Sequence, residues 1–297
     1  MLYVENIKKL SKEVGFDLCG VTSARYLADG DEALRRWLSD GYGEPLGYMQ
    51  RNVALRSDPR RLVDGAKTVI VCAISYKNLY SLAPVEPKIA SYAMCRDYHK
   101  SIKKRLKALL RALQQHHPSL EGRVFVDSAP LLEKRLAVEA GLGWIGRQSL
   151  LVTPEYGSFV LLGELVVTIE AEGYDRAFKG ERCGDCRRCV ERCPAGAIND
   201  NRTIDTRRCI SCRTVEMTQD ESALPLAGWI FGCDECQICC PHNAATPLSR
   251  NPDFVPIIAP PTREEWLGMS DEIFERDFAT TPLKRRGRDC IIRSIIQ

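Results

Sequence analysis

The sequence has 297 residues, longer than one average domain of ~100–200 residues. Its 44% hydrophobic and 27% charged residues exclude a disordered chain. The opening stretch MLYVENIKKLSKEVGFDLCG holds no signal-type apolar run, and no segment approaches the ~18 consecutive apolar residues of a membrane span. A cytoplasmic location without membrane contact is therefore expected, where thiols stay reduced. The 14 cysteines then point to metal rather than to disulfides. The net charge of +3 is localised, because Arg276 to Gln297 holds six basic residues against Asp277 and Asp289.

In chain order, FDLCGVTSA and KTVIVCAIS read as buried strands, rich in β-branched residues and bounded by turn residues. Between Tyr98 and Gln115, Ile102, Leu106, Leu109, Leu110 and Leu113 recur at helical spacing and stop before Pro118. The outer face of this helix is basic: the stretch Arg96 to Arg111 holds Arg96, Lys100, Lys103, Lys104, Arg105, Lys107 and Arg111 against Asp97 alone. Such a face is either solvated or a phosphate contact, and the same choice holds for the tail around Arg285. RVFVD is a short strand, and Pro130 is expected to open a helix with Leu132, Leu136 and Ala140 on one side. SFVLLGELVVTIE closes the unit as a long buried strand. The expectation is an α+β chain: an α/β layer domain over 1–172, a metal-organised domain over 173–250 and a short helical basic tail over 251–297.

Two motifs mislead. Gly141-Leu-Gly143-Trp-Ile-Gly146 matches a dinucleotide fingerprint, but it follows a helix pattern and reads as a helix-ending glycine turn. Asp97-Tyr98-His99 begins like a cobalt-binding D-x-H-x-x-G segment, but Ile102 stands where glycine is required.

Ten of the cysteines lie between Cys183 and Cys240. Cys183, Cys186, Cys189 and Cys193-Pro194 form the C-x2-C-x2-C-x3-C-P run of two-cluster ferredoxins, whose fourth thiolate reaches the other cluster. A zinc ribbon is the competing use of such pairs. By analogy with Cys193-Pro194, Cys240-Pro241 is the second crossing ligand. One 4Fe–4S cluster is then expected on Cys183, Cys186, Cys189 and Cys240, and the other on Cys193, Cys209, Cys233 and Cys236. Cys212 and Cys239 are surplus to the eight seats and read as packing residues.

The segments SYAMCRDYHK, FVDSAPLLEKRLAVEAGLGWIGRQSLL, GSFVLLGELV, CGDCRRCVERCPAGAI, RRCIS and FGCDECQICCPHN resemble the epoxyqueuosine reductase family. The resemblance implies an N-terminal cobalamin-binding domain, a ferredoxin-like two-cluster domain and an oxidoreductase that completes queuosine synthesis on tRNA. Its cofactors would be base-off cobalamin and two 4Fe–4S clusters, which feed electrons to cobalt. Its partners would be tRNA bearing epoxyqueuosine in the anticodon loop and an external electron donor of flavodoxin or ferredoxin type, acting on a monomer.

The family's general acid falls on Asp127, which on its own residues reads equally well as a cap of the helix that Pro130 opens. Cobalamin-pocket positions fall on Arg56, Asp127, Leu151, Leu162, Ser211 and Asp234. Members commonly carry Tyr at Cys212 and Gly at Cys95. Many continue into a helical-repeat tail that helps grip tRNA, whereas this sequence stops at Gln297; the departure bears on tRNA affinity and substrate identity rather than on the redox machinery. The alternative is a cobalamin and iron–sulfur reductase of a small molecule, of the reductive-dehalogenase kind.

Overall fold

The computed structural model describes residues 1–217 and 224–297. In it the run Thr68–Ser75 is a strand buried at every position, which suits a β-branched run covered on both faces. It pairs antiparallel with Leu18–Ser23 on one side and with Val160–Val167 on the other; Gly122–Phe125 adds to the far edge of Val160–Val167. All three ladders are antiparallel, although strands and helices alternate along the chain.

Each face of this four-stranded sheet has its own core. On one face, the helices Val4–Glu13 and Tyr98–His116 bring Ile7, Ile102, Leu106 and Leu109 onto Val21, Ile70 and Ile74. On the other, the helix Glu133–Glu139 lays Leu136 and Ala137 on Val69, Val71 and Val166. The close approach needs Gly20, because any Cβ there would strike the Ala140 carbonyl. Gly141, at φ +78°, then ends the helix, and Leu142 N–H returns to the Ala137 carbonyl at 2.9 Å. The apparent dinucleotide fingerprint is thus a helix terminus followed by the hairpin strand Trp144–Ile145.

The helix expected from Pro130 begins instead at Glu133, with Leu132 as its N-cap. Two bonds hold the intervening residues out of helical geometry: Leu132 N–H donates to the Arg56 carbonyl at 3.2 Å, and Leu131 N–H to the Ala129 carbonyl at 2.8 Å. Asp127 does not cap this helix.

A third core joins distant segments. The strand Trp229–Phe231 pairs in parallel with Lys88–Ile89, and around this pair the tail helices Arg263–Leu267, Asp271–Phe278 and Arg288–Ile296 deliver Trp266, Phe274, Phe278 and Ile291. Thr262 and Glu265 form a capping box at the first of these helices, and Ser270 caps the second. Among the described residues, no helix is long and apolar enough to cross a membrane.

Phe278 is 1% exposed, and its ring lies 5.3 Å from Phe274 and 5.0 Å from Trp266. Phe278→Ala is expected to lower unfolding free energy by about 3–5 kcal/mol in a denaturant titration. A change inside the surface-substitution range of about 0.5 kcal/mol would contradict a shared core.

Candidate active site and iron–sulfur centres

The cysteine loops supply two groups of thiols. Cys186 N–H turns back to the Cys183 carbonyl at 3.0 Å, and the short helix Arg188–Arg192 then carries Cys189. Burial raises the Cys240 thiol, and Cys183, Cys189 and Cys186 lie close enough to raise it further. Cys189 is raised likewise by burial and by Cys183 and Cys186. In the second group, burial raises Cys236 well above the ordinary thiol range, with Cys233, Cys209 and Cys193 adding to it. Cys209 in turn sits beside Cys193. Cys183, Cys186, Cys189 and Cys240 therefore lie near one another with Cys239 beside them, and Cys193, Cys209, Cys233 and Cys236 lie near one another with Cys212 beside Cys209.

This arrangement fits clusters. A zinc ion at about 2.3 Å from each sulfur would draw its ligands tightly together, yet among the described residues no three His, Cys, Asp or Glu side chains converge on a single ion. A four-iron cube holds its four thiolates apart, and it favours the thiolate form that burial opposes.

The surplus thiols differ in setting. Cys239 is half-buried beside Cys189 and Cys240, where burial brings it up to about 11. Cys212 is buried one helical turn after Cys209 and is raised to about 12, again chiefly by burial. Cys95 is buried far from both groups in sequence, donating to the Phe254 carbonyl at 3.2 Å.

Asp127 stands just beyond the Gly122–Phe125 strand with φ +55°, a left-handed backbone that few non-glycine residues adopt. Two contacts hold it there. Its N–H donates to Glu133 Oε1 at 2.6 Å, and its Oδ2 meets His99 Nε2 at 3.0 Å. His99 Nδ1 lies 2.8 Å from Asp97 Oδ1, so one imidazole bridges two carboxylates. Asp97 also caps the Tyr98–His116 helix by accepting from His99 N–H at 2.9 Å.

The charge states follow. Hydrogen bonds to Asp127 and then Asp97 outweigh burial and bring His99 up to about 9. Crowding pushes the Asp127 carboxyl upward, but His99, with help from Tyr98 and Arg285, outweighs it and holds the carboxyl below its ordinary range. At neutral pH the proton sits on the imidazole. Asp127 therefore rests ionised rather than as a desolvated acid kept protonated. Its side chain is 47% exposed, and the charged and phenolic groups near it include Tyr48, Tyr98, Glu216 and Arg285. Arg285 reaches Glu216 at 2.8 Å.

The other expected pocket residues lie on separate elements. Arg56 is buried and donates through Nη2 to the Tyr48 carbonyl at 2.9 Å, while its Nε has no partner. Its carbonyl holds Leu132 N–H, which ties it to the Asp127 turn. Leu151 is buried in the hairpin opposite Ile145; in the same hairpin the buried donors Trp144 Nε1 and Gln148 Nε2 have no partner. Leu162 is half-buried on the long strand and packs against the second core. Ser211 is half-buried in the first turn of Ile210–Val215, next to Cys209. Asp234 is buried and already accepts from Ser91 N–H at 2.7 Å and Gln237 Nε2 at 3.0 Å.

Sequence reasoning passed over His99, Tyr98, Tyr48 and Glu133. The available signal was Asp97-Tyr98-His99, set aside as a failed cobalt motif; what it marks is a helix cap whose histidine turns to Asp127.

Two outcomes test this geometry. Reconstituted protein is expected to hold about eight iron, Cys240→Ser about half of that, and Cys239→Ser the full amount by iron assay; the reverse pair would move the crossing ligand to Cys239. The His99 imidazole is expected to titrate near 9 by NMR, and lower in Asp127→Asn. Its stabilising effect is present below its ordinary value of about 6.5 and lost as pH rises through the folded value.

Residues 56–128 match the family model for epoxyqueuosine reductase QueG (DUF1730), and residues 182–243 match a 4Fe-4S double cluster binding domain. The chain is 38% identical over 288 residues to the epoxyqueuosine reductase of Cyclobacterium marinum, covering 95% of this chain and 92% of the relative. It is also 38% identical over 302 residues to that of Escherichia coli K12, covering 98% and 79%. A crystal structure of an epoxyqueuosine reductase with an epoxyqueuosine-modified tRNA stem loop superposes with a TM-score of 0.86 at 28% identity, covering 98% of this chain and 79% of that one. A catabolic reductive dehalogenase shares the fold at a TM-score of 0.50 and 17% identity, covering 98% of this chain and 37% of that one. The chain belongs to the epoxyqueuosine reductase family and carries a double 4Fe–4S cluster domain.

Proposed function

We propose that this protein reduces epoxyqueuosine to queuosine in the anticodon loop of tRNA. The observation that carries the reading is Asp127, held in a left-handed turn with its side chain half exposed and bonded to a protonated His99. The bound cofactors, base-off cobalamin and two 4Fe–4S clusters, would supply the electrons. Arg56, Leu151, Leu162, Ser211 and Asp234 would hold the cobalamin. The unpartnered donors Arg56 Nε, Trp144 Nε1 and Gln148 Nε2 suit a ligand rimmed with amide carbonyls.

An epoxide oxygen leaving carbon develops negative charge and needs a proton. Asp127 is half exposed and His99 is bonded to it, so the imidazole proton can pass to the carboxylate as the oxygen charges. The left-handed turn aims the carboxylate, and the Glu133 bond to its N–H fixes the turn. The solved reductase of Bacillus subtilis, 26% identical to this chain, has a catalytic aspartate loop swung out of its active site; a short turn held by two side-chain bonds is a segment able to make such a move.

The tRNA backbone would meet the exposed face of the Tyr98–His116 helix. Lys103, Lys104, Lys107 and Arg111 have no ion-pair partner among the described residues, whereas Lys284, Arg285 and Arg288 pair with Glu275, Glu216 and Asp271. The helix is thus the freer phosphate contact. An external electron donor of flavodoxin or ferredoxin type, working on a monomer, would dock near Cys239 and Cys240, where Arg188 and Arg192 line a shallow cavity.

Asp127→Asn is expected to keep cofactor content and tRNA affinity while single-turnover reduction falls by about 10²–10⁴-fold. Turnover at the parent rate would take the proton donor elsewhere. Neutralising Lys103, Lys104 and Lys107 together should flatten the salt dependence of tRNA binding by about 0.7–0.9 log unit per lost contact. An unchanged slope would return that face to solvent and favour a small-molecule substrate.

A further inference from the structure

Glu164 lies in the middle of the Val160–Val167 strand, paired across the sheet with Val71 and with Phe125. It is 0% exposed, and neither carboxyl oxygen makes a hydrogen bond of ordinary geometry. An ionised carboxylate in that position would have nothing to replace its water, so the group holds its proton. The Glu133 carboxyl faces it from the first turn of the covering helix, near enough to share a proton. Glu133 in turn accepts the Asp127 N–H at 2.6 Å. A buried acid, a half-buried acid and the half-exposed Asp127 carboxylate thus stand in sequence from the core to the surface.

We propose that Glu133, backed by Glu164, is a proton store behind Asp127 that supplies the second proton of each turnover. This rests on reading Asp127 as the group that delivers protons at the candidate site. Converting an epoxide to an alkene breaks both C–O bonds, forms one carbon–carbon π bond and releases water; it consumes two electrons and two protons. The electrons come from the external donor through the cluster sites. The His99–Asp127 pair holds one proton. Once that has gone to the departing oxygen, Glu133 reloads Asp127, and neutral Glu164 steadies the Glu133 carboxylate by donating to it. Solvent reprotonates Glu133 after product leaves.

The surroundings agree. Burial and then the Asp127 charge raise Glu133 to about 7, while Glu164 and Lys134 pull it down. Burial raises Glu164 well above the carboxylate range, with Glu133 and Asp127 adding to it. Arg56 and Tyr98 face Glu133 from neighbouring elements, and Cys72, on the adjacent strand but the opposite face of the sheet, feels the Glu164 charge. Glu133 therefore carries its proton below about 7 and loses it above.

The test uses holoenzyme and Glu133→Gln, whose amide oxygen can still accept the Asp127 N–H. Infrared titration of the resting protein should show a protonated-carboxyl band that disappears as pH rises through about 7 and is missing from Glu133→Gln. A second band should persist above neutrality and be missing from Glu164→Gln. Single-turnover reduction by the parent should fall above the same pH, and Glu133→Gln should lose that limb with a rate about 10²-fold lower. Glu164→Leu should move the limb to higher pH, and Glu164→Gln, which can still donate, should leave it in place. Parent-like bands, limb and rate in Glu133→Gln would overturn the proposal. If Asp127→Asn also reduces substrate at the parent rate, the reading of Asp127 has failed; if only the Glu133 variant does, the store alone has failed.

Discussion

One hydrogen bond sets the charge states of the candidate site: His99 Nε2 to Asp127 Oδ2 at 3.0 Å. It joins the start of the helix on one face of the sheet to the turn that leads into the helix on the other. Asp97 completes it, capping the first helix while holding the far side of the same imidazole. The pair of carboxylates keeps the imidazole charged, and the imidazole keeps Asp127 ionised. A proton is stored one bond from the Asp127 carboxylate, on a group whose position the fold has already set.

The rest of the architecture serves that placement. The antiparallel sheet brings the ends of Gly122–Phe125 and Val160–Val167 together, and Gly20 lets the covering helix settle low enough for Glu133 to reach the Asp127 backbone. The cluster loops are fastened to the same body. Trp229–Phe231 pairs with Lys88–Ile89, and Asp234 binds Ser91 N–H, so the segment carrying Cys233 and Cys236 is pinned a few residues upstream of His99. The tail aromatics close over that junction. The cluster cysteines and the His99–Asp127 pair are held by one continuous packing arrangement.

Much of this was legible in the sequence, for identifiable reasons. Cysteine spacing is a local constraint, so a double 4Fe–4S domain follows from the C-x2-C-x2-C-x3-C-P run and the later C-x2-C pairs. The β-branched run Thr68–Ser75 and the apolar stripe of Tyr98–His116 are equally local signals. The late helix start at Glu133 was not legible, because the bonds that delay it come from Arg56 and Ala129. The ionisation of Asp127 was not legible either, since its partner His99 is distant in sequence and belonged to a motif set aside. Glu164 reads as an isolated polar break in an apolar strand until the covering helix shows what faces it.

The most direct measurement is nucleoside analysis of epoxyqueuosine-containing tRNA after incubation with anaerobically reconstituted, cobalamin-loaded protein and a reductant. Epoxyqueuosine should disappear and queuosine, lighter by one oxygen, take its place. Unchanged epoxyqueuosine with both clusters and cobalamin in place would contradict the proposed function.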